Sequence, residues 1–296
     1  GITTMDASII IQIALGGILL GGLYAMVAFG LSLIYGVARI LNFAHGTLLA
    51  VGGVAASAIF TATAWNPLLI MALLVPVLGL FGYVFYDKLL QPLTKRSHFE
   101  YTVGSVLVTV GALLILSDVA AWIAGPAPRN IPLRFEAMEF GDVIVSTTQA
   151  WILGGIIVFT IVLHFYIKKS WFGRAMRAVT QDHTGATICG VQADRVHALT
   201  FAFGSGIVAI AAVLYTMLFP VDPYMGFSLT VKAFTIIILG GIGNLVGALI
   251  AGIFLGLAEG FTSFFWATQW APAISIVLLL VILVIFPQGF GWRKSK

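Results

Sequence analysis

Eight long runs of apolar residues constrain the fold of this chain more than any other feature. Each run comes close to the roughly 20 residues that an α-helix needs to cross the hydrocarbon core of a bilayer. Only 9% of the 296 residues are charged, against about a quarter in soluble domains, so a water-exposed globule is excluded. The sequence therefore predicts an all-α, polytopic transmembrane helical bundle that forms a single domain over residues 1–296. The runs span residues 7–35, 44–62, 67–87, 101–124, 149–168, 196–219, 231–265 and 270–287.

The first and seventh runs are too long for one upright helix, and each is followed or interrupted by a glycine-containing break. The first break extends from Tyr35 to Gly46 and contains Asn42, and the second extends from Leu239 to Asn244. Non-helical backbone at membrane depth is tolerated only where protein or a water-filled cavity surrounds it. We therefore predict broken, re-entrant helices at these two points.

The residues that flank the two breaks are similar. Residues 28–46 read AFGLSLIYGVARILNFAHG, and residues 233–252 read AFTIIILGGIGNLVGALIAG. Interrupted helices at matching positions of two halves are the best sequence indication of a translocation site in transporters. The pattern thus predicts two related halves, although glycine-mediated packing or a plain tight turn explains either break taken alone.

Basic residues are concentrated in the loops on one side of the predicted bundle. These are Lys88, Lys95, Arg96, Lys168, Lys169, Arg174, Arg177, Arg195, Arg293, Lys294 and Lys296. The opposite loop, about 125–148, carries Arg129 and Arg134 against Glu136, Glu139 and Asp142. By the positive-inside rule the basic side is cytoplasmic, which places the C-terminus inside and the N-terminus outside. The small net charge of +4 is thus explained by topology and does not indicate nucleic-acid binding.

The number of crossings supports a break in the seventh run. An external N-terminus and a cytoplasmic C-terminus require an odd number of crossings, whereas eight runs give an even number. The conflict disappears if residues 231–265 cross twice, as a short half-helix followed by a full helix. The cytoplasmic turn then falls at Gly240, Gly241 and Gly243.

The cytoplasmic loop of residues 168–195 is the longest polar stretch on the basic side. Arg174, Arg177 and Asp182 alternate there with small apolar residues, which predicts a short amphipathic helix, and Gly185 and Gly190 follow it. Two interpretations are open: a solvated loop held by positive-inside charge, or a helix on which a cytoplasmic partner docks.

Individual polar residues within the runs raise separate expectations. Glu259 lies deep in an apolar run, where a charge is expensive, so it should face a partner or a cavity. Lys232 begins the seventh run, where it either extends to the interface or attracts a substrate carboxylate. His45 should be a hydrogen-bonded residue that holds the broken helix. We expect Asp118, His164 and His197 to be interfacial and Cys189 to be a small, buried or half-buried residue.

The sequence offers no chemistry of an enzyme. It contains no metal-ligand spacing and no nucleophile–base set, so we expect neither catalysis nor a metal. The glycine-rich GGIGN segment lacks the Gly-Lys-Ser/Thr ending of a phosphate-binding loop, which argues against nucleotide binding. We expect no cofactor.

Three motifs in order over about residues 10–290 resemble the permeases of branched-chain amino acid ABC importers, in particular the shorter permease subunit. These motifs are YGVARILNFAHG, GRAMRAVTQDHTGATICGV and KAFTIIILGGIGNLVGALIAG. The resemblance implies a multi-pass protein of a bacterial inner membrane that pairs with a second permease, often a different chain. It also implies cytoplasmic ATP-binding subunits that drive transport and a periplasmic solute-binding protein that delivers the substrate.

The resemblance also suggests roles for residues. The coupling helix for the ATPase would run from about Gly173 to Val191, with Gly173, Arg174, Arg177, Asp182 and Gly190 as its motif positions. The candidate substrate path comprises Tyr35, Asn42, His45, Gly46, Thr47, Thr235, Gly241, Asn244 and Glu259. The candidate docking surface for the periplasmic protein comprises Arg129, Arg134, Glu136, Glu139 and Asp222.

The sequence departs from the family pattern in two places. Thr47 stands where an acidic residue often follows the Asn-Phe-Ala-His-Gly motif, and Thr184 and Gly185 replace bulkier residues in the cytoplasmic loop. The first departure leaves the substrate open among branched-chain amino acids, urea, short amides and aromatic or carboxylic acids. An ion-coupled secondary transporter or a channel is the alternative function; the former would depend on Glu259, the one candidate intramembrane carboxylate.

Overall fold

The computed structural model describes residues 2–133, 137–140 and 143–285. Its helices are α1 (Ile2–Ala38), α2 (His45–Thr63), α3 (Pro67–Phe85), α4 (His98–Ala124), α5 (Thr147–Lys169), α6 (Trp171–Gln181), α7 (His183–Ile188), α8 (Ala193–Leu218), α9 (Gly226–Gly240), α10 (Leu245–Phe265) and α11 (Ala271–Ile285). A π-helical turn (Tyr86–Leu90) and a 3₁₀ turn (Gln91–Lys95) extend α3, and a 3₁₀ turn (Thr268–Trp270) precedes α11. Strands β1 (Ala137–Phe140) and β2 (Val143–Ser146) form an antiparallel hairpin.

The predicted polytopic helical bundle is confirmed. Within the described residues, seven helices are long and apolar enough to cross a membrane, and the shorter apolar helices α9 and α11 accompany them. The chain is therefore an integral membrane protein. The observed helices match the predicted runs closely because lipid demands an unbroken apolar stretch of fixed minimum length. The small β1–β2 hairpin, in the loop before α5, was not predicted.

The first break begins later than the sequence suggested. Tyr35 and Gly36 remain helical, so α1 is one continuous helix of 37 residues, about 55 Å long, and the break covers residues 39–44. Gly36 does not interrupt the helix, since neighbouring helices hold a membrane helix together at glycine. The second break divides the seventh run into α9 and α10, as predicted.

Helices α1 and α10 pack with their backbones in contact along a seam of glycines. A β-carbon at Gly21 would lie 2.6 Å from Ile253 Cα, and one at Gly17 would lie 2.9 Å from Leu257 Cα. On α10, the opposing glycines are Gly252 and Gly256. Both helices thus carry glycines four residues apart, the spacing that permits close helix approach in membranes, where no hydrophobic force pulls helices together.

The remaining helices arrange themselves by the size and polarity of their side chains. Helices α2 and α8, rich in alanine and glycine, lie in the interior with α1 and α10. Buried hydroxyls there bond to carbonyls of their own helix, as Thr200 does to Val196 and Thr216 to Ala212. Helices α3, α4 and α5 leave large apolar side chains exposed, such as Leu80 and Leu107, which are suited to lipid.

Candidate functional site

The first break is a buried, re-entrant segment. Asn42 is 2% exposed, and its Oδ1 accepts a hydrogen bond from the Ala44 backbone N–H at 3.1 Å. His45 follows at the start of α2, and its Nε2 lies 3.0 Å from the Val27 carbonyl oxygen. Val27 precedes the end of α1 at Ala38 by three turns, about 16 Å. The chain therefore returns to a level about three turns inside the end of α1 before α2 begins, and His45 has the structural hydrogen bond that we expected.

A hydroxyl from α9 satisfies the backbone of this break. Thr230 Oγ1 accepts a hydrogen bond from the Gly46 N–H at 2.9 Å and donates toward the carbonyls of Phe43 and Gly226, each at 3.0 Å. The approach is so close that a β-carbon at Gly46 would lie 2.6 Å from the Thr230 nitrogen. Glycine is required at position 46 because backbone, and not a movable side chain, occupies the adjacent space.

The second break receives the equivalent contact from α1. The Gly243 N–H donates to Ser32 Oγ at 2.8 Å, and Gly243 has a left-handed φ of +81°. Asn244 then caps α10, since its Oδ1 accepts from the Gly247 N–H at 3.0 Å. The arrangement is reciprocal: α1 leads into the first break and supplies a hydroxyl to the second, whereas α9 leads into the second break and supplies a hydroxyl to the first.

A buried charged cluster joins four helices, α1, α9, α10 and α11. Lys232 Nζ of α9 lies 2.9 Å from Glu259 Oε2 of α10 and 2.7 Å from Tyr24 Oη of α1. Tyr24 donates to the same carboxylate oxygen at 3.0 Å, and Ser275 of α11 donates to Glu259 Oε1 at 2.5 Å. Every charged atom of the pair thus has partners, which a buried ion pair needs to offset its desolvation.

This cluster corrects the prediction for Lys232 and supports that for Glu259. Lys232 is only 8% exposed and does not reach the interface, because α9 begins at Gly226, six residues before it. Glu259, 3% exposed, faces a partner as expected, and that partner is Lys232. Four contributing residues were not predicted, because each shows only a hydroxyl in an otherwise apolar helix: Tyr24, Ser32, Thr230 and Ser275.

The other predicted path residues lie in different surroundings. Thr235 is buried, and its hydroxyl bonds to the Val231 carbonyl at 3.0 Å. Tyr35 is half-buried near the end of α1, and Gly241, also half-buried, has a left-handed φ of +90°. Among the described side chains, His45 Nδ1 and Thr47 Oγ1 are buried polar atoms without a hydrogen-bond partner.

The amphipathic helix predicted in the loop of residues 168–195 is α6. Its buried face comprises Gly173, Ala175, Met176 and Val179, and Arg174 and Arg177 lie on the exposed face. A β-carbon at Gly173 would collide with the Ile167 carbonyl, so α6 folds back directly on the end of α5.

The polar motif residues of this loop are engaged in local hydrogen bonds. Arg174 Nη1 donates to the Lys169 carbonyl at 2.8 Å, and Arg177 Nη1 donates to the Ile167 carbonyl at 2.7 Å. Asp182 caps α7 by accepting the Gly185 N–H at 2.9 Å, and Gly190 ends the turn with a φ of +86°. The arginines thus cap the C-terminal carbonyls of α5, and the most exposed large apolar side chains of the loop are Ile188, 81% exposed, and Trp171, 65% exposed.

Two minor predictions near this loop are wrong. Cys189 is exposed, because it follows the last residue of the short helix α7 on the outer surface. His197 is buried, because Tyr86 packs over it with Oη 2.8 Å from His197 Nδ1. His164 is half-buried near the C-terminal end of α5, and Asp118 is exposed near the C-terminal end of α4.

On the opposite side of the bundle, the segment of residues 129–131 is hydrogen-bonded to the C-terminal end of α8 and the residues that follow it. The Arg129 and Val221 backbones exchange two hydrogen bonds of 2.8 Å, and Arg129 also donates to the Ala124 carbonyl. Asp222 follows directly and accepts the Tyr224 N–H at 2.9 Å. Arg129 and Asp222, from distant loops, thus belong to one surface. Of the other predicted docking residues, Glu139 lies in β1, and Arg134 and Glu136 lie outside the described residues.

Tyr224 and Asp118 extend that surface. Tyr224 Oη donates to Asp118 Oδ1 at 3.2 Å, and this hydrogen bond raises the pKa of the exposed tyrosine above its ordinary value. Within the part of the chain that the structure describes, no group of three or more His, Cys, Asp or Glu residues could hold a metal ion.

Comparison with known proteins reveals similarity over nearly the whole chain. The family model described as the permease component of branched-chain amino acid transport systems matches residues 13–286. The high-affinity branched-chain amino acid transport system permease protein LivH of Escherichia coli (strain K12) is 30% identical over 302 aligned positions, which cover 96% of each chain. BraD of Pseudomonas aeruginosa, which carries the same description, is 29% identical over 96% of each chain. A probable LivH of Methanocaldococcus jannaschii is 24% identical over 95% of this chain and 93% of its own.

Proposed function

This chain belongs to the family of permease components of branched-chain amino acid transport systems, and on that premise we propose that it is the shorter permease subunit of a bacterial ABC importer. The match to the family model over residues 13–286 is the observation that carries the proposal. The proposed substrate is a branched-chain amino acid, since the similar LivH and BraD proteins are named for it. The proposed location is the inner membrane, with the N-terminus periplasmic and the C-terminus cytoplasmic.

The substrate path that we propose passes beside the two breaks. Asn42, His45, Gly46, Thr47, Gly241 and Asn244, with Tyr35, Thr235 and Glu259 nearby, would supply it with polar groups. Buried polar atoms without partners are rare, so His45 Nδ1 and Thr47 Oγ1 are the best-supported members of the path. Glu259 would act through Lys232, by holding α9 in position.

The cytoplasmic loop would couple the permease to ATP-binding subunits. Gly173, Arg174, Arg177, Asp182 and Gly190 would shape the coupling helices, because their side chains or backbone angles fold α6 and α7 against α5. The contact with the ATPase would fall on exposed apolar side chains, of which Ile188 and Trp171 are the most prominent. Large apolar residues at the centre of an interface contribute most of its affinity.

A periplasmic solute-binding protein would dock on the surface around the Arg129–Val221 bridge. Arg129 and Asp222 present opposite charges there, with Arg134, Glu136 and Glu139 in the adjoining loop. A second permease subunit, proposed to be a different chain, would complete the transporter in the membrane. This chain itself would carry out no catalysis.

The alternative of an ion-coupled transporter is less well supported. Ion coupling commonly depends on a membrane-embedded carboxylate that gains and loses an ion. Glu259 is held by Lys232, Tyr24 and Ser275 in the described structure, and an ammonium already balances its charge.

Co-purification tests the proposed function. The chain is extracted from its native membrane in mild detergent, and the associated subunits are identified by mass spectrometry. We expect an ATP-binding subunit to be retained, and we expect Ile188→Asn to reduce its affinity by about thirtyfold, as for a central apolar contact. Arg96→Asn, an exposed cytoplasmic residue in another loop, is the matched control.

Two results would contradict the proposal. If no ATP-binding subunit accompanies the chain under gentle conditions, the importer assignment is wrong. If Ile188→Asn and Arg96→Asn retain the ATPase equally, the docking surface is wrong while the importer assignment stands. Uptake of radiolabelled leucine into vesicles containing the complex, with and without internal ATP, then tests the substrate and excludes a passive channel.

A further inference from the structure

A large cavity opens between the ends of α1 and α5, the amphipathic helix α6 and the second break. Its volume is about 1020 Å³, at the upper end of the roughly 300–1,000 Å³ of small-molecule pockets. Both breaks contribute to its wall, through Arg39 of the first and Gly241 to Gly243 of the second. No residue assigned to the candidate path except Gly241 lines it, so the cavity is distinct from the polar groups around His45 and Glu259.

The charged residues that line this cavity are all basic. They are Arg39, Lys168 and Arg177, with the imidazole of His164 beside them, and no Asp or Glu is among the described lining residues. Arg177 donates to backbone carbonyls, which orient its guanidinium but do not neutralise its charge. Within the described structure, the side chains of Arg39 and Lys168 form no hydrogen bond or ion pair.

The backbone at Arg39 is uncommon for a residue of this type. Arg39 has a left-handed φ of +56°, an uncommon conformation for a residue with a β-carbon. Glycine or asparagine would adopt that conformation with less strain. An exposed arginine in a strained turn, without an acidic partner, indicates a site for an anion.

The rest of the cavity wall is apolar. Leu33 and Val37 of α1, Ile167 of α5, Ile238 of α9 and Ile242 of the second break lie on it. A ligand that fits this wall has an anionic group at one end and a long apolar part at the other. A free amino acid fits less well, since its ammonium group would meet three cations and no described carboxylate.

We propose that this cavity binds an anionic phospholipid of the cytoplasmic leaflet. Its phosphate would lie between Arg39, Lys168 and Arg177, and an acyl chain would lie along the apolar wall. Basic pockets between transmembrane helices on the cytoplasmic side are suited to such headgroups. The site depends on the orientation proposed above but not on the transported substrate, so lipid binding is measured without transport.

Native mass spectrometry of the full chain in detergent tests this site. Phosphatidylglycerol is titrated against phosphatidylcholine with the same acyl chains. We expect one phosphatidylglycerol to bind preferentially, and the pair of substitutions Arg39→Asn and Lys168→Gln to weaken it by about thirtyfold, or about fivefold for each cation removed. Asparagine is chosen at position 39 because it tolerates the left-handed backbone.

The control pair Lys95→Gln and Lys169→Gln removes two cations from the same side of the protein without touching the cavity lining. It should bind phosphatidylglycerol as the unaltered chain does, and Arg39→Lys, which preserves the charge, should remain within about fivefold. The proposal is overturned if the control pair loses as much affinity as the cavity pair, or if phosphatidylcholine binds equally well. It is also overturned if inorganic phosphate or leucine displaces the lipid at equal concentration, which would identify a small-anion or substrate site.

Discussion

The two breaks have similar residues but lie in different surroundings. In the first, residues 39–44 lie mostly within the protein, and α2 begins beside Val27, about three turns inside the end of α1. In the second, Ile242 to Asn244 are exposed at the end of the bundle. Both use an asparagine oxygen to accept a backbone N–H and a hydroxyl from another helix to bind a second one. The similar pattern therefore marks where the helices end, whereas burial determines how much each contact contributes to stability.

Burial affects the two breaks differently because water can replace a lost partner only at the exposed one. An unsatisfied buried N–H costs about 1–3 kcal/mol, whereas an exposed N–H finds water. We therefore expect equivalent substitutions to be costly at the first break and mild at the second. Four substitutions test this difference, with stability measured as the free energy of unfolding in mixed micelles by circular dichroism.

Gly46→Ala should have the largest effect. The added methyl group would press on the Thr230 backbone, which cannot move aside as a side chain could, and the chain should lose about 3 kcal/mol or fail to fold. Gly243→Ala is the matched control, since no described atom lies within 4 Å of its β-carbon position, and only the left-handed backbone opposes it. Equal losses would contradict the difference between the breaks.

Thr230→Val should have the next largest effect. Valine keeps the shape of threonine but removes the hydroxyl that binds the Gly46 N–H and the Phe43 carbonyl, so we expect a loss of about 2 kcal/mol. Thr216→Val, which removes only a hydroxyl bonded within its own helix, provides the comparison and should cost less. A neutral Thr230→Val would mean that water already reaches the first break.

Ser32→Ala should have a small effect. It removes the acceptor for the Gly243 N–H, but Gly243 is exposed, so water replaces the serine and the loss should be about 0.5 kcal/mol. The same denaturation measurement applies. A loss of unfolding free energy as large as that of Thr230→Val would show that water is excluded from the second break as fully as from the first.

Gly243→Asn should have the smallest effect. Asparagine tolerates the left-handed φ of +81° and meets no neighbour, so stability should change by a few tenths of a kcal/mol. Gly243→Val provides the contrast, because a β-branched residue is strained in this conformation and should cost about 1–2 kcal/mol. If both variants are equally stable, the left-handed backbone conformation at position 243 does not contribute to the stability of the fold.

The length of the membrane helices is the part of the fold that the sequence predicts well. The run predicted at residues 44–62 corresponds to α2 (His45–Thr63), and the run at residues 149–168 corresponds to α5 (Thr147–Lys169). These limits are readable because a lipid environment excludes unpaired backbone and charge over a fixed thickness. The division of residues 231–265 into α9 and α10 was predicted from the glycines at 240, 241 and 243. The need for an odd number of membrane crossings supported it.

Contacts between distant positions could not be predicted in this way. Thr230 binds Gly46 across 184 positions, and Ser32 binds Gly243 across 211. A hydroxyl in an apolar helix most often bonds to its own backbone, so nothing in the sequence distinguishes Thr230 from Thr216. Lys232 was misplaced because the predicted seventh run begins at residue 231, next to Lys232, whereas α9 begins five residues earlier, at Gly226.

The glycine seam between α1 and α10 determines which parts of the molecule move together. Backbones in direct contact have no rotating side chains between them to absorb a sliding motion, so we expect these two helices to move together. Helix α11 instead meets its neighbours through side chains, which include apolar contacts such as that of Leu278 and the hydrogen bonds of Ser275 with Glu259 and Thr235. If the permease alternates between conformations, α1 and α10 provide the fixed frame, and displacement falls on helices such as α11 that can exchange one hydrogen-bond partner for another.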